Sequence, residues 1–181
     1  MKKYFLLITL FLSACGINDK AIVLENNGIV DVKKSFYVAK PKTSLLKQNE
    51  ENPAKILFDN NIINHTPSTL SDNSITFTKG LEEARLANKK YLVTLDVQEW
   101  KDASMISCGK LAYDSADVII NVYDVKSGKL LNKQQVKSYG CPAKLTSGLV
   151  SVDISNGTPA QRFKDTINQW YTNLANNSQV E

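Results

Sequence analysis

The stretch SADVIINVYDVKSGKLLNKQQVKSY, residues 115–139, decides the fold that we expect for this chain. Its first half alternates apolar and polar side chains, which is typical of a strand with one buried face. Its centre, VKSGK, places Gly128 where a tight turn needs a residue that tolerates a positive φ. Its second half, Lys129 to Tyr139, reads as the returning strand. The stretch therefore predicts an antiparallel hairpin.

Two flanking segments extend this hairpin into a larger unit. KYLVTLDVQEW, residues 90–100, is rich in β-branched and aromatic residues and predicts a third strand, so that the three strands form a meander. Before it, GLEEARLAN places Leu81, Ala84 and Ala87 at helical spacing. A helix therefore precedes the meander.

A helix also follows the meander. In GTPAQRF, Thr158 can cap a helix, Pro159 suits its first position and Gln161 completes a capping box. Trp170 and Tyr171 belong to an apolar face at helical spacing that we expect to pack on the sheet, although both could instead mark a partner surface. The residues of this face are Phe163, Ile167, Trp170, Tyr171 and Leu174.

The amino-terminal half of the domain carries weaker signals. SFYVAKP, residues 35–41, predicts a first strand. Asn52 and Pro53 predict a helix start, and a start near Ser44 is the alternative. HTPSTLSDNS, residues 65–74, is turn-rich and has room for a short strand.

These elements indicate an α/β fold in one domain. We expect a single two-layer domain over residues 31–176, followed by a tail at 177–181. Its mixed sheet has about five strands, with a carboxy-terminal three-strand meander and helices packed on one face. A mature chain of about 167 residues suits one hydrophobic core.

The first residues have the pattern of a secretion signal. Lys2 and Lys3 precede a short apolar run, Tyr4 to Leu12, and the small pair Ser13-Ala14 leads to Cys15. The run is far shorter than the roughly 20 residues that a membrane-spanning helix needs. LSAC also resembles the bacterial lipobox, which implies that residues 1–14 are a signal peptide and that Cys15 receives diacylglycerol and then palmitate. The alternative is an ordinary secretory signal cleaved near Ala14.

A lipidated Cys15 predicts that the protein is located in the bacterial cell envelope. Two or more acyl chains hold a protein stably on a membrane. Gly16 follows the cysteine, which favours the outer membrane, with the domain facing the periplasm. Residues 15–30 then form the lipidated cysteine and a tether that reaches about 50 Å when fully extended. A short strand at Ala21 to Leu24 is the alternative for part of that tether.

Composition excludes several classes of function. The formal charge of +4 falls when Lys2 and Lys3 leave with the signal, and the remaining basic residues occur at most in pairs, so we expect no nucleic-acid partner. His65 is the single histidine, which argues against a metal site and a Ser-His-Asp triad. We expect no catalytic residues, no cofactor and no enzymatic activity.

Three blocks of the sequence resemble a known family. LEEARLANKKYLVTLDVQEWKD, INVYDVKSGKLL and GTPAQRFKDTINQWYTNL are similar to successive blocks of the bacterial lipoprotein family labelled domain of unknown function 4823, over Val32 to Leu174. Ala103 stands where members usually carry an arginine, and Cys108 and Cys141 are outside the family pattern. The resemblance implies a two-layer α/β domain of the kind found in envelope assembly and accessory lipoproteins.

The expected function is therefore a lipid-anchored, non-catalytic binding or assembly accessory module. Its partners would be the membrane, through the lipid on Cys15, and envelope proteins. The alternative is a small envelope hydrolase that uses carboxylates such as Asp96, Glu99 and Asp102. For the binding function we expect Trp100 and Asp102 to form part of a recognition rim, and core packing is the alternative for Trp100.

The remaining cysteines, Cys108 and Cys141, are predicted to form a disulfide. Export places both thiols in an oxidising compartment. In a meander, the strands that end near Trp100 and Tyr139 run the same way, so both cysteines would lie at one end of the sheet. Two free, buried cysteines are the alternative.

Overall fold

The computed structural model describes residues 18–46, 50–60, 66–101, 114–140, 144–147, 150–153 and 158–177. Within these ranges the elements are β1 (Asn18–Asn26), β2 (Phe36–Lys40), α1 (Pro53–Asp59), β3 (Thr69–Ser74), α2 (Phe77–Leu86), β4 (Tyr91–Lys101), β5 (Asp114–Asp124), β6 (Leu130–Gly140), β7 (Lys144–Ser147), β8 (Val150–Asp153) and α3 (Pro159–Asn176).

The described strands form one mixed sheet of six strands, in the order β1-β6-β5-β4-β2-β3, and a separate β7-β8 pair. β4, β5 and β6 are an antiparallel meander, as predicted. Gly128 has a φ of +70° in the turn between β5 and β6, which is the conformation that the turn required. β2 runs parallel to both of its neighbours. The α/β class is confirmed, with one strand more in the main sheet than expected.

The additional strand lies in the segment that we assigned to a tether. β1 spans nine residues and pairs antiparallel with β6, from Asn18 opposite Tyr139 to Asn26 opposite Asn132. The strand alternative at Ala21 to Leu24 is therefore correct but too short. β1 is held by groups far along the chain, because Gln169 and Asn173 of α3 bind the N–H and the C=O of Ala21 at 2.7 and 3.1 Å. Local sequence does not reveal such partners.

The helices pack on both faces of the sheet, not on one face as expected. α1 and α3 cover the larger core, which includes Val38, Val93 and Phe163. α2 covers a smaller cluster on the opposite face, which includes Ala39 and Leu92. Successive strand residues point to opposite faces. The chain moves outward from β2 to β3 and back past β2 to β4, so its two crossovers run in opposite directions. Parallel crossovers share one hand as a rule, and opposite directions then place α1 and α2 on opposite faces.

The helix ends follow their sequence signals in part. The Asn52 side chain accepts a hydrogen bond from the N–H of Ala54, and Pro53 opens α1. Thr158 accepts from the N–H of Gln161 at the start of α3. The capping box is incomplete, because the Gln161 amide donates to Asp165 instead of turning back to the cap.

A buried polar network fixes α3 on the sheet. Gln134 is fully buried on β6 and donates to the Asn132 side chain and to the carbonyl oxygen of Trp170. Asn173 donates to the Gln134 side-chain oxygen at 3.1 Å. Trp170 is 1% exposed, so it belongs to the core and does not mark a partner surface. These bonds fix the position of α3 along the sheet as well as its distance from it.

Candidate functional site

The two ends of the main sheet are distinguished by the strands that begin and end there, and β1 begins at the end to which Cys15 is linked by the chain. β1 begins at Asn18, β4 ends at Lys101, and β6 ends at Gly140, all at one end, which we call the near end. We call the opposite end, where β4 begins at Tyr91 and β5 ends at Asp124, the far end. Cys15 lies outside the described residues, but three peptide links limit its Cα to about 11 Å from that of Asn18. Whatever is attached to Cys15 is therefore attached at the near end.

Trp100 lies at the near end, but in the core. Its side chain is 7% exposed and meets the ring of Phe163 edge-on, with the centroids 5.9 Å apart. A residue so buried offers little contact area to a partner. Core packing, the alternative given for Trp100, is therefore correct. A recognition rim at this end would need other side chains. Asp102, the second residue assigned to the rim, lies outside the described residues.

Arg162 is a buried charged residue at the near end that the sequence did not single out. It is 5% exposed on α3, and its guanidinium lies against Gly140 so closely that any Cβ at position 140 would overlap it. Asp114, paired with Gly140 in the sheet, is 1% exposed. The near end therefore holds a buried guanidinium and a buried carboxylate beside the apolar core. Sequence reasoning missed Arg162 because it lies between predicted capping and core residues.

The carboxylates proposed for a hydrolase are only partly brought together. A register shift between Val97 and Glu99 places Glu99 opposite Asp117 of β5, a residue that the sequence reasoning did not include. Asp117 forms an ion pair with Lys137 at 3.3 Å and accepts two hydrogen bonds from Gln135. The carboxylate is therefore compensated by its own sheet neighbours. Asp96 lies opposite Ile119 on the same strand pair.

The two groups with large pKa shifts among the described residues, Tyr37 and Asp124, lie away from the near end. Burial and a hydrogen bond to Glu83 raise the pKa of Tyr37, which packs beneath α2. A hydrogen bond from Lys90, with others from Ser127, holds the pKa of Asp124 at about 2. Both shifts arise from local pairing and burial. They do not mark a group of acids and bases converging on one point.

Among the described residues, no group of three or more His, Cys, Asp and Glu side chains could hold a metal ion. His65 lies outside them. Within the same ranges, no helix is long and apolar enough to cross a membrane.

Cys108 and Cys141 also lie outside the described residues, and their disulfide remains a prediction. The strand arrangement on which the prediction depends is observed: β4 and β6 are both antiparallel to β5, and both end at the near end. Cys141 directly follows Gly140. We expect that the unfolded, unreduced mature protein has no titratable thiol, and that reduction lowers its free energy of unfolding by about 3 to 4 kcal/mol.

A Cys108→Ser, Cys141→Ser double variant is the control for this disulfide. Its stability should equal that of the reduced parent and should not respond to reductant. Two thiols that titrate in the unreduced, unfolded parent would show instead that the cysteines are free.

Comparison with known proteins identifies a shared fold. A scan against protein-family models gives no match, and neither does a search of curated proteins, so the resemblance to domain of unknown function 4823 is not confirmed. A variant of the PelC dodecamer from Paraburkholderia phytofirmans has a TM-score of 0.54 at 12% identity, covering 92% of this chain and 99% of that chain. Another crystal form of the PelC dodecamer gives 0.53 at 12% identity, covering 84% and 97%. Protein XCC0632 from Xanthomonas campestris, of family DUF330, gives 0.40 at 11% identity, covering 86% and 91%.

Proposed function

We propose that the chain is a lipid-anchored protein of the bacterial cell envelope, acylated at Cys15, that acts as a non-catalytic binding or assembly module. Its membrane is the outer membrane and its domain faces the periplasm, in keeping with Gly16 after the cysteine. The observation that carries the proposal is the start of β1 at Asn18, three residues after the lipobox cysteine. A signal that ends at a cysteine and a folded domain that begins almost at once suit a protein that works at the membrane surface.

The position of β1 changes the expected geometry of anchoring. A free tether over residues 15–30 would let the domain move about 50 Å from the lipid. With β1 hydrogen-bonded to β6 from Asn18 onward, only Gly16 and Ile17 separate Cys15 from the sheet in sequence. The near end is then held within about 11 Å of Cys15. We infer that the sheet points away from the membrane, an orientation that the experiment below tests. In this proposal the near end of the domain stays close to the membrane, and the far end faces away from it.

Two observations support a binding or assembly role over catalysis. Glu99 and Asp117 face each other, but the ion pair with Lys137 already neutralises Asp117. The fold is also shared with PelC, a protein crystallised as a dodecamer, over nearly the whole of both chains. The step from that assembly to this chain is an analogy of fold alone, because a shared fold does not by itself carry a shared function. Envelope proteins are the proposed partners, with the membrane itself.

Energy transfer to labelled lipids tests the proximal, oriented anchoring. The acylated protein is placed in nanodiscs that contain acceptor-labelled lipid, with a donor on a bioorthogonal residue at exposed Lys20 near the start of β1, or at exposed Lys126 in the far-end turn. The two positions differ by about 25 to 30 Å along the sheet, because Lys20 is level with Lys137 and Asp117. We expect strong transfer from position 20 and much weaker transfer from position 126.

The matched control has 15 Gly and Ser residues inserted between Gly16 and Ile17. Such a linker is a flexible coil, so transfer from both positions should fall and the difference between them should shrink. Equal transfer from positions 20 and 126 without the insertion would contradict the proposal, because it would show that the near end is not held closer to the membrane than the far end.

A further inference from the structure

The far end of the sheet gathers basic residues that are scattered in the sequence. Phe36 pairs with Tyr91, and Tyr91 pairs with Asp124, so the residues before β2, before β4 and after β5 become neighbours. Two carboxylates accompany the basic residues: Asp31 pairs with Lys34, and Asp124 pairs with Lys90. The basic residues at this end are Lys33, Lys34, Arg85, Lys89, Lys90, Lys126 and Lys129.

Four of these residues line an open cleft of about 440 Å³ between the end of α2 and the β5-β6 turn. The cleft exists because the chain turns sharply after α2. Asn88 adopts a φ of +51°, its N–H binds the carbonyl of Arg85, and the N–H of Lys89 binds that of Ala84. The volume is in the range of small-ligand sites. The lining residues are Arg85, Asn88, Lys89, Lys90, Val125 and Lys126.

Two of the lining cations are held in place without being neutralised. Arg85 donates through Nε to the carbonyl oxygen of Val125 at 3.1 Å, which leaves its terminal nitrogens available. Lys89 donates through Nζ to the carbonyl oxygen of Pro67 at 2.6 Å. A carbonyl oxygen is an uncharged acceptor, so these bonds orient the cations without compensating their charge, and neither cation forms an ion pair with another residue that the structure describes. Lys90, by contrast, is paired with Asp124 at 2.5 Å.

A cleft with this lining suits an oxyanion. An arginine fixed at Nε presents its remaining N–H groups to a phosphate or a carboxylate, and neighbouring lysines add point charges. Lys33, Lys34 and Lys129 lie outside the cleft at the same end of the sheet, and Lys34 is paired with Asp31 there. A polymer with repeated anionic groups could reach some of this additional positive charge, whereas a single anion in the cleft could not.

We propose that the far-end cleft binds a linear polyanion, a polymer that carries phosphate or carboxylate groups. The far end lies about 33 Å from the near end along β6. If the near end is anchored and the sheet points away from the membrane, as proposed above, the headgroups of the protein's own membrane are out of reach of the cleft. The exclusion of these headgroups as the ligand rests on the proposed function. The cleft and its charges are features of the structure and do not depend on it.

Titration calorimetry with inorganic polyphosphate as the probe tests the proposal. The acylated protein in nanodiscs of zwitterionic lipid should bind polyphosphate at low ionic strength, and more weakly as salt rises. A Lys89→Gln, Lys126→Gln double variant should bind about tenfold more weakly, since each exposed pair contributes modestly. Inorganic phosphate alone should bind more weakly than the polymer. Arg85 is left intact because it also bonds to Val125.

The matched control is a Lys55→Gln, Lys164→Gln double variant, which removes the same charge from α1 and α3. Its affinity for polyphosphate should stay within about twofold of the parent, because charge far from the cleft is screened. Equal weakening in both variants, or no polyphosphate binding by the parent, would overturn the proposal. So would binding of the far end to vesicles of anionic lipid without any binding of polyphosphate. Failure to enter nanodiscs would contradict the anchoring alone.

Discussion

Replacement of Cys15 by serine is expected to remove the protein from the outer-membrane fraction and to leave an unprocessed precursor or a soluble chain. Serine has no thiol to form the thioether with diacylglycerol, and cleavage of a lipobox depends on that modification. Each buried CH₂ of an acyl chain contributes about 0.8 kcal/mol, so loss of all the chains removes the anchor. Membrane fractionation and the intact mass of the mature protein measure the result.

The control for this change is the Cys108→Ser, Cys141→Ser double variant. It removes the other cysteines and leaves Cys15, so its acyl mass and its membrane fraction should match those of the parent. If the Cys15→Ser variant partitions into membranes as the parent does, the lipobox interpretation is wrong. The proximal anchoring described above would then have no chemical basis.

Substitution of Trp100 by alanine is expected to lower the free energy of unfolding by about 3 to 5 kcal/mol. The indole is 7% exposed and packs edge-on against Phe163, so its removal leaves a cavity between β4 and α3. Equilibrium unfolding in denaturant measures the loss. A change of this size is a large share of the stability of a single domain.

Leu86→Ala is the control for the tryptophan substitution. Leu86 is also a large apolar residue, but it is 81% exposed at the end of α2, and its truncation should change stability by less than about 0.5 kcal/mol. A loss below about 1 kcal/mol for Trp100→Ala would place the indole at an accessible rim instead of in the core.

Elements with local signals were predictable from the sequence. The turn around Gly128 needs a positive φ, and Asn52 with Pro53 caps a helix start, so each signal lies within a few residues of the element it specifies. The apolar face of α3 has the same property, and its residues Phe163 and Leu174 are buried as expected. The spacing of apolar residues along an element predicts which of its faces is buried, and for α3 this prediction is correct.

Features that depend on strand order were not predictable. β1 is held by β6 and α3, and the far-end cleft joins Arg85 to Lys126 through a sheet register. The pairing of Glu99 with Asp117 depends on a one-residue shift within β4. Periodicity does not say which strand lies beside which, nor on which face a crossover helix packs. The sites of a mixed sheet arise from those choices.

If the chain is exported as we propose, the pairing of β1 has a consequence for the order in which the domain folds. An exported chain emerges amino terminus first, yet β1 pairs with β6 and bonds to Gln169 and Asn173, more than a hundred residues later. β1 must therefore wait until nearly all of the chain has emerged. During that wait Ile22, Val23 and Leu24, which stay partly exposed even in the folded domain, have no strand beside them. For the exported protein that we propose, we therefore expect periplasmic holdases to bind this segment until β6 and α3 have emerged.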